Sequence, residues 1–154
     1  MRVYKKEMGL ETLKPDRFYD ITDNVESAVL ESGILEGHLL VQVMHTTVGI
    51  YVNESEKFLF GDLVIHLNRQ APQISGRYAH DNIAERNCPD NEPENAHAHI
   101  KAVLYGNPSV NLIVSGGRLQ LGKYQRILFA EFDGPCPRDG KNGKRRYLIH
   151  IIGE

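Results

Sequence analysis

The stretch Leu39-Leu40-Val41-Gln42-Val43-Met44-His45-Thr46-Thr47-Val48-Gly49-Ile50-Tyr51-Val52-Asn53-Glu54 decides how the chain is read, because a polar cluster punctuates an otherwise apolar, β-rich run. Leu39 to Met44 lead in and Ile50 to Val52 lead out, with Gly49 allowing a bend or bulge between the two strands. His45, Thr46, Thr47 and the Asn53-Glu54 pair then fall at strand ends. Burying these groups without partners would cost about 1–3 kcal/mol for each neutral one and more for the carboxylate. Either a hydrogen-bonded strand end or a ligand site is implied.

Working outward, Phe18-Tyr19-Asp20-Ile21 reads as a short strand ending at Thr22, an N-cap residue. Val25, Ala28, Val29 and Ser32 recur at helical spacing up to Gly33, which can take the left-handed conformation that stops a helix. Phe58, Leu59, Leu63 and Leu67 mark a second helix before Pro72, with Asp62 and His66 on one side of it. From Ala71 to Glu94 the chain is polar and turn-rich, and a loop of this length inside a compact domain is either functional or disordered. Tyr78-Ala79-His80-Asp81-Asn82 within it favours function.

Asn95 can cap a helix through Tyr105 that shows Ala98, Ala102 and Tyr105 on one face and stops at Gly106-Asn107-Pro108. The remainder is β: Val110 to Val114, Arg118 to Leu121, Tyr124 to Phe132 and Lys144 to Ile152. Asp133-Gly134-Pro135 reads as a turn with Asp133 capping its own backbone, and Gly140-Lys141-Asn142-Gly143 as the turn before the last strand. The charge run Lys141 to Arg146 reads as a solvated hairpin. Strand runs, single helices and an all-β second half predict one α+β domain over 1–154 with largely antiparallel sheet.

A chain of 154 residues can bury a sizeable core. A net charge of −2 and a sequence pI near 6.4 give no electrostatic footprint for nucleic acid. No apolar run approaches the ~20 residues that span a bilayer, and Met1 to Lys6 lead into no signal-peptide core, so no membrane partner and a cytoplasmic location are expected. Cys88 and Cys136 lie outside any CxxC spacing and read as reduced thiols.

The chemistry-bearing residues come from separate segments. His45, His80 and His99, with Glu54 or Asp62, would suit a divalent ion such as zinc, where three protein ligands leave a position open. No HExxH-like spacing is present, and the residues alone favour histidines used for hydrogen bonding over metal ligands. His97 and His99 sit roughly 200° apart on a helix, so they do not easily share one ion, and His97 reads as an exposed helical residue. Arg118 follows Gly116-Gly117 and Gln125 follows Gly122, placing a guanidinium and an amide near one rim. The Arg118 fork matches either a ligand anion or a salt bridge to Glu131 or Asp133; Lys101, Lys123 and Arg138 are weaker anion candidates.

The order His45-Thr46-Thr47-Val48-Gly49-Ile50 with Asn53-Glu54, Tyr78-Ala79-His80-Asp81, Asn95 to Ala102, Gly117 to Gly122 and Glu131 to Pro135 resembles the YjbQ-like family over nearly the full chain. The resemblance implies a two-sheet, largely antiparallel β-sandwich with two helices, assembled as a homotrimer. It further implies a secondary thiamine-phosphate synthase, a transferase that joins a thiazole phosphate to an aminopyrimidine-methyl diphosphate and releases pyrophosphate. On that reading His45, Glu54 and His99 are catalytic, and Thr46, Thr47, Asn53, Lys101, Arg118 and Gln125 bind a phosphorylated substrate. His45, His80, His99 and Asp62 would hold a divalent metal, zinc or magnesium. A metal-dependent hydrolase or phosphotransfer enzyme, and a non-catalytic trimeric binding module for a metal or phosphometabolite, are the alternatives. The family's usual Gly-Thr-Trp-Gln is Gly122-Lys123-Tyr124-Gln125 here, which changes one aromatic wall, and Cys136-Pro137-Arg138 displaces an arginine that commonly follows the proline.

Overall fold

The computed structural model describes residues 1–89, 91–136 and 143–154. The expected turn at Gly140-Lys141-Asn142, the segment Pro137-Arg138 and the anion role given to Arg138 lie outside the described residues. Among the described residues, eight strands form two antiparallel sheets. In chain order they are β1 (Arg2–Leu10), β2 (Arg17–Asp20), β3 (Gly37–Val43), β4 (Val48–Asn53), β5 (Ser109–Ser115), β6 (Arg118–Leu119), β7 (Arg126–Glu131) and β8 (Arg145–Gly153). One sheet runs β1-β8-β3-β5-β6 and the other β2-β7-β4. Among the same residues three α-helices, α1 (Thr22–Ser32), α2 (Lys57–Gln70) and α3 (Ala96–Tyr105), and two single-turn 3-10 helices complete the α+β architecture.

The burial of each strand follows from what covers it. Leu39, Val41 and Val43 of β3 and Tyr147, Ile149 and Ile151 of β8 alternate inward and meet Ile50, Ile127 and Phe129 of the smaller sheet. Helix α1 adds Val25, Ala28 and Val29 to this core. Strand β7 has both faces covered, because Ala130 joins a second cluster with Leu67 of α2 and Ala98 of α3. Its run Ile127 to Glu131 is therefore buried at every position, as expected of a strand with no solvent face. The smaller sheet is a middle layer between the larger sheet and the pair α2 and α3.

Two predicted helix caps are replaced by other groups. Thr22 is the first helical residue, and its hydroxyl accepts the Ile127 N–H at 2.7 Å while the Asp20 carboxylate takes the Thr22 N–H at 3.0 Å. Asn95 makes no side-chain cap; the Ala96 N–H donates to Asp81 Oδ1 at 2.9 Å, and the Asn95 amide donates to Asp133 Oδ2 at 2.7 Å. Asp133 thus holds the residue that precedes α3, and its own N–H is taken by the Glu131 carboxylate. Gly49 makes no bend between strands, since it lies inside β4 opposite Ala130. A Cβ there would sit 2.7 Å from the Gly106 Cα, so glycine is needed for the end of α3 to rest on β4.

Candidate functional site

The chain crosses from the larger sheet to the smaller one between Val43 and Val48, and His45, Thr46 and Thr47 are the crossing. Strand β8 pins it. The Met44 N–H donates to the Arg146 carbonyl at 3.1 Å, and the Arg146 N–H donates to His45 Nε2 at 2.8 Å. Below the crossing, Glu131 is fully buried and accepts from Arg145 Nε at 2.6 Å, Arg145 Nη2 at 2.8 Å, Thr12 Oγ1 at 2.9 Å and the Asp133 N–H at 2.9 Å. Arg145 Nη2 also reaches Thr47 Oγ1 at 3.4 Å. The pair joins β7 to β8, one strand from each sheet, directly under the histidine.

Helix α3 is brought to the same place by its C-terminal end. The Ile50 N–H donates to the Asn107 carbonyl at 2.9 Å and the Asn107 amide returns a bond to the Ile50 carbonyl at 3.2 Å. The result is an open cleft of about 490 Å³ with His45 and Thr46 on one side and His99, Ala102 and Val103 on the other. His80, carried by a 3-10 turn over Ala79–Asp81, packs edge-on against His99 with ring centroids 4.8 Å apart. Among the described residues, His80 Nε2 is buried without a hydrogen-bond partner.

Because His45 Nε2 accepts a bond, the neutral ring carries its proton on Nδ1. Burial, with Arg145 and Arg146 adding positive charge nearby, pulls its pKa below the ordinary histidine value. A neutral donor imidazole, a second imidazole and the exposed Thr46 hydroxyl can therefore hydrogen-bond a small molecule and move a proton on it. No carboxylate lines this cleft among the described residues.

The pattern of the family described as "UPF0047 protein YjbQ-like" matches residues 6–154. The chain belongs to the YjbQ-like UPF0047 family. A UPF0047 protein of Archaeoglobus fulgidus is 42% identical over 132 residues, covering 86% of this chain and 94% of the relative. The UPF0047 protein YugU of Bacillus subtilis is 35% identical, covering 86% of this chain and 92% of its own. The crystal structure of a YbjQ-like protein of unknown function from Sulfolobus solfataricus P2 superposes with a TM-score of 0.81 at 31% identity, covering 99% of both chains.

In this YjbQ-like chain the sequence-derived site residues separate into groups. His45, Thr46 and His99 share the cleft and His80 lies against it. Thr47 is buried and occupied by Arg145. Asn53 and Glu54 line a different cavity, between β4 and α2, and Asn53 Oδ1 accepts the Glu54 N–H. Asp62 is exposed on α2. Gln125 Oε1 accepts the Gly122 N–H within its own loop. Arg118 is exposed in a shallow groove beside Glu26 of α1, and Glu131, one partner expected for it, is held by Arg145.

Lys101 is fully buried, with Nζ 2.8 Å from both Asp16 carboxylate oxygens and 3.0 Å from Asn68 Oδ1, so its donors are already engaged. His97, expected to be exposed, is 4% exposed and packs near Lys101, because the face of α3 opposite His99 is turned inward. Arg145, expected in a solvated hairpin, is the buried arginine of the ion pair. No disulfide joins Cys88 and Cys136, and no helix among the described residues is long and apolar enough to cross a membrane. The described residues do not gather three His, Cys, Asp or Glu side chains around one point, so they do not fit a three-ligand zinc site within one chain.

One buried and one half-buried histidine, His97 and His45, give this YjbQ-like protein a pH dependence. Burial holds both His45 and His97 below the ordinary value of 6.5, so between that value and their folded pKa the unfolded chain binds more protons than the folded one. Stability is complete above about pH 6.5 and falls as the pH drops through the folded pKa values. Urea midpoints are expected to decline from pH 7.5 to 5.5, before most carboxylates titrate, and His97→Gln should flatten the decline. Equal midpoints at the two pH values would contradict it.

Proposed function

We propose that this chain is a small-molecule enzyme in which His45 and His99 act across their shared cleft, working in the cytoplasm as a homotrimer. The observation that carries the reading is the convergence of two imidazoles from remote segments on one open cleft, with the His45 ring held neutral and in a fixed tautomer. The reaction to assay first is that of a secondary thiamine-phosphate synthase. There the thiazole nitrogen forms a bond to the aminopyrimidine methylene carbon as the carbon–oxygen bond to diphosphate breaks. The His45 Nδ1–H would donate to the departing oxygen, with the positive charge of Arg146 nearby, the charge of Arg145 being taken up by Glu131.

A second reading, a non-catalytic module that captures a phosphorylated metabolite or a divalent ion, is supported by the buried, unpartnered His80 Nε2. Zinc would take His80 and His99 from one chain and need further ligands from elsewhere, whereas magnesium, which prefers oxygen ligands, would come with the phosphorylated substrate. Untagged protein given both thiamine-phosphate precursors with magnesium should form product, and His99→Ala should lower kcat at least about a hundredfold with the fold intact. Saturable binding without turnover would favour the second reading; neither binding nor turnover would overturn this choice of reaction.

A further inference from the structure

A second cavity abuts the other features of α3 without sharing the histidine cleft. It has a volume of about 220 Å³ and lies between β4, β7 and the apolar side of α2. Phe18, Tyr51 and Tyr105 supply aromatic walls, and Leu63 closes it from α2. These walls are fixed: the Tyr51 hydroxyl donates to the Tyr105 carbonyl, burial pushes the Tyr51 phenol up to about 12, and His66 packs edge-on against Tyr105 at 5.6 Å. At the rim stand the exposed side chains of Asn53 and Glu54. Asn53 Oδ1 accepts the Glu54 N–H at 2.8 Å, which holds the backbone at the mouth and leaves the Glu54 carboxylate beside the opening.

We propose that this pocket is a ligand site for a small flat aromatic ring bearing a positively charged nitrogen group, a role independent of the one given to the histidine cleft. Volume sets the size, because an apolar cavity of about 150 Å³ already accepts a benzene ring. Electrostatics sets the sign. Aromatic faces carry negative potential and attract cations, and a carboxylate at the mouth of an apolar pocket adds a charge-assisted partner for an amine or amidine. Few polar groups converging on an apolar concavity is the arrangement by which small-molecule sites orient a ligand.

Benzamidine is the probe, with neutral benzamide and anionic benzoate as matched controls, followed by amide chemical shifts in the intact assembly. Benzamidine is expected to shift Tyr51, Glu54 and Leu63 saturably at millimolar concentration, with benzamide at least tenfold weaker and benzoate silent. Glu54→Gln, an exposed substitution whose fold a thermal melt can verify, should weaken benzamidine about tenfold. Absent shifts at these residues, equal binding of all three probes, or unchanged affinity in Glu54→Gln would each overturn the proposal.

Discussion

Replacing Arg145 by methionine is expected to cost the folded state about 3–5 kcal/mol, because it leaves the Glu131 carboxylate buried and without its charged partner. For a chain of this size that corresponds to a fall in Tm of roughly 6–20 °C, read by a thermal melt at pH 7. Glu131→Leu in the same chain should restore much of the loss, since removing both charges avoids the unpaired buried ion. A single variant as stable as the parent would show that water reaches Glu131. The same substitution should raise the pKa of His45, because Arg145 is one of the positive charges that hold it low.

The second large effect is expected at Asp16→Asn, which keeps the shape and the left-handed backbone at φ 51° but removes the only carboxylate bonded to Lys101 among the described residues. The Lys101 ammonium is fully buried, so a loss on the order of 3 kcal/mol is expected in urea unfolding. Asp16→Asn combined with Lys101→Met should recover most of it. Failure of the double variant to recover would place the effect on the Asp16 turn instead of on the ion pair.

Much of the architecture was legible because the relevant signals are local. The helical face Ala98, Ala102 and Tyr105 and the alternation through β3 each report one element packing on one neighbour. Strand β1 was not legible: its inward set is Tyr4, Lys6, Met8 and Leu10, and Lys6 breaks the apolar alternation. It is tolerated there because its ammonium reaches Glu31 of α1 at 2.6 Å. The burial of Arg145 left a usable signal, since it shares the two-residue period of Tyr147, Ile149 and Ile151.

At the site, the convergence of His45 and His99 could be anticipated from motifs, whereas the separation of Glu54 and Arg118 from them could not. That separation depends on which sheet each strand joins, and strand pairing is non-local. Lys101 illustrates the same limit: a lysine on a helix reads as solvated until the loop bearing Asp16 is folded over it.

The bond from the Ala96 amide to Asp81 ties the fate of two segments together. Asp81 belongs to the same short turn as His80, and Ala96 opens the helix that carries His99. Local opening of the long loop therefore strips a hydrogen bond and a favourable negative charge from the helix start in one step. The two histidine rings are therefore expected to open as one cooperative unit, and amide exchange at Ala96 should read how often the loop lets go.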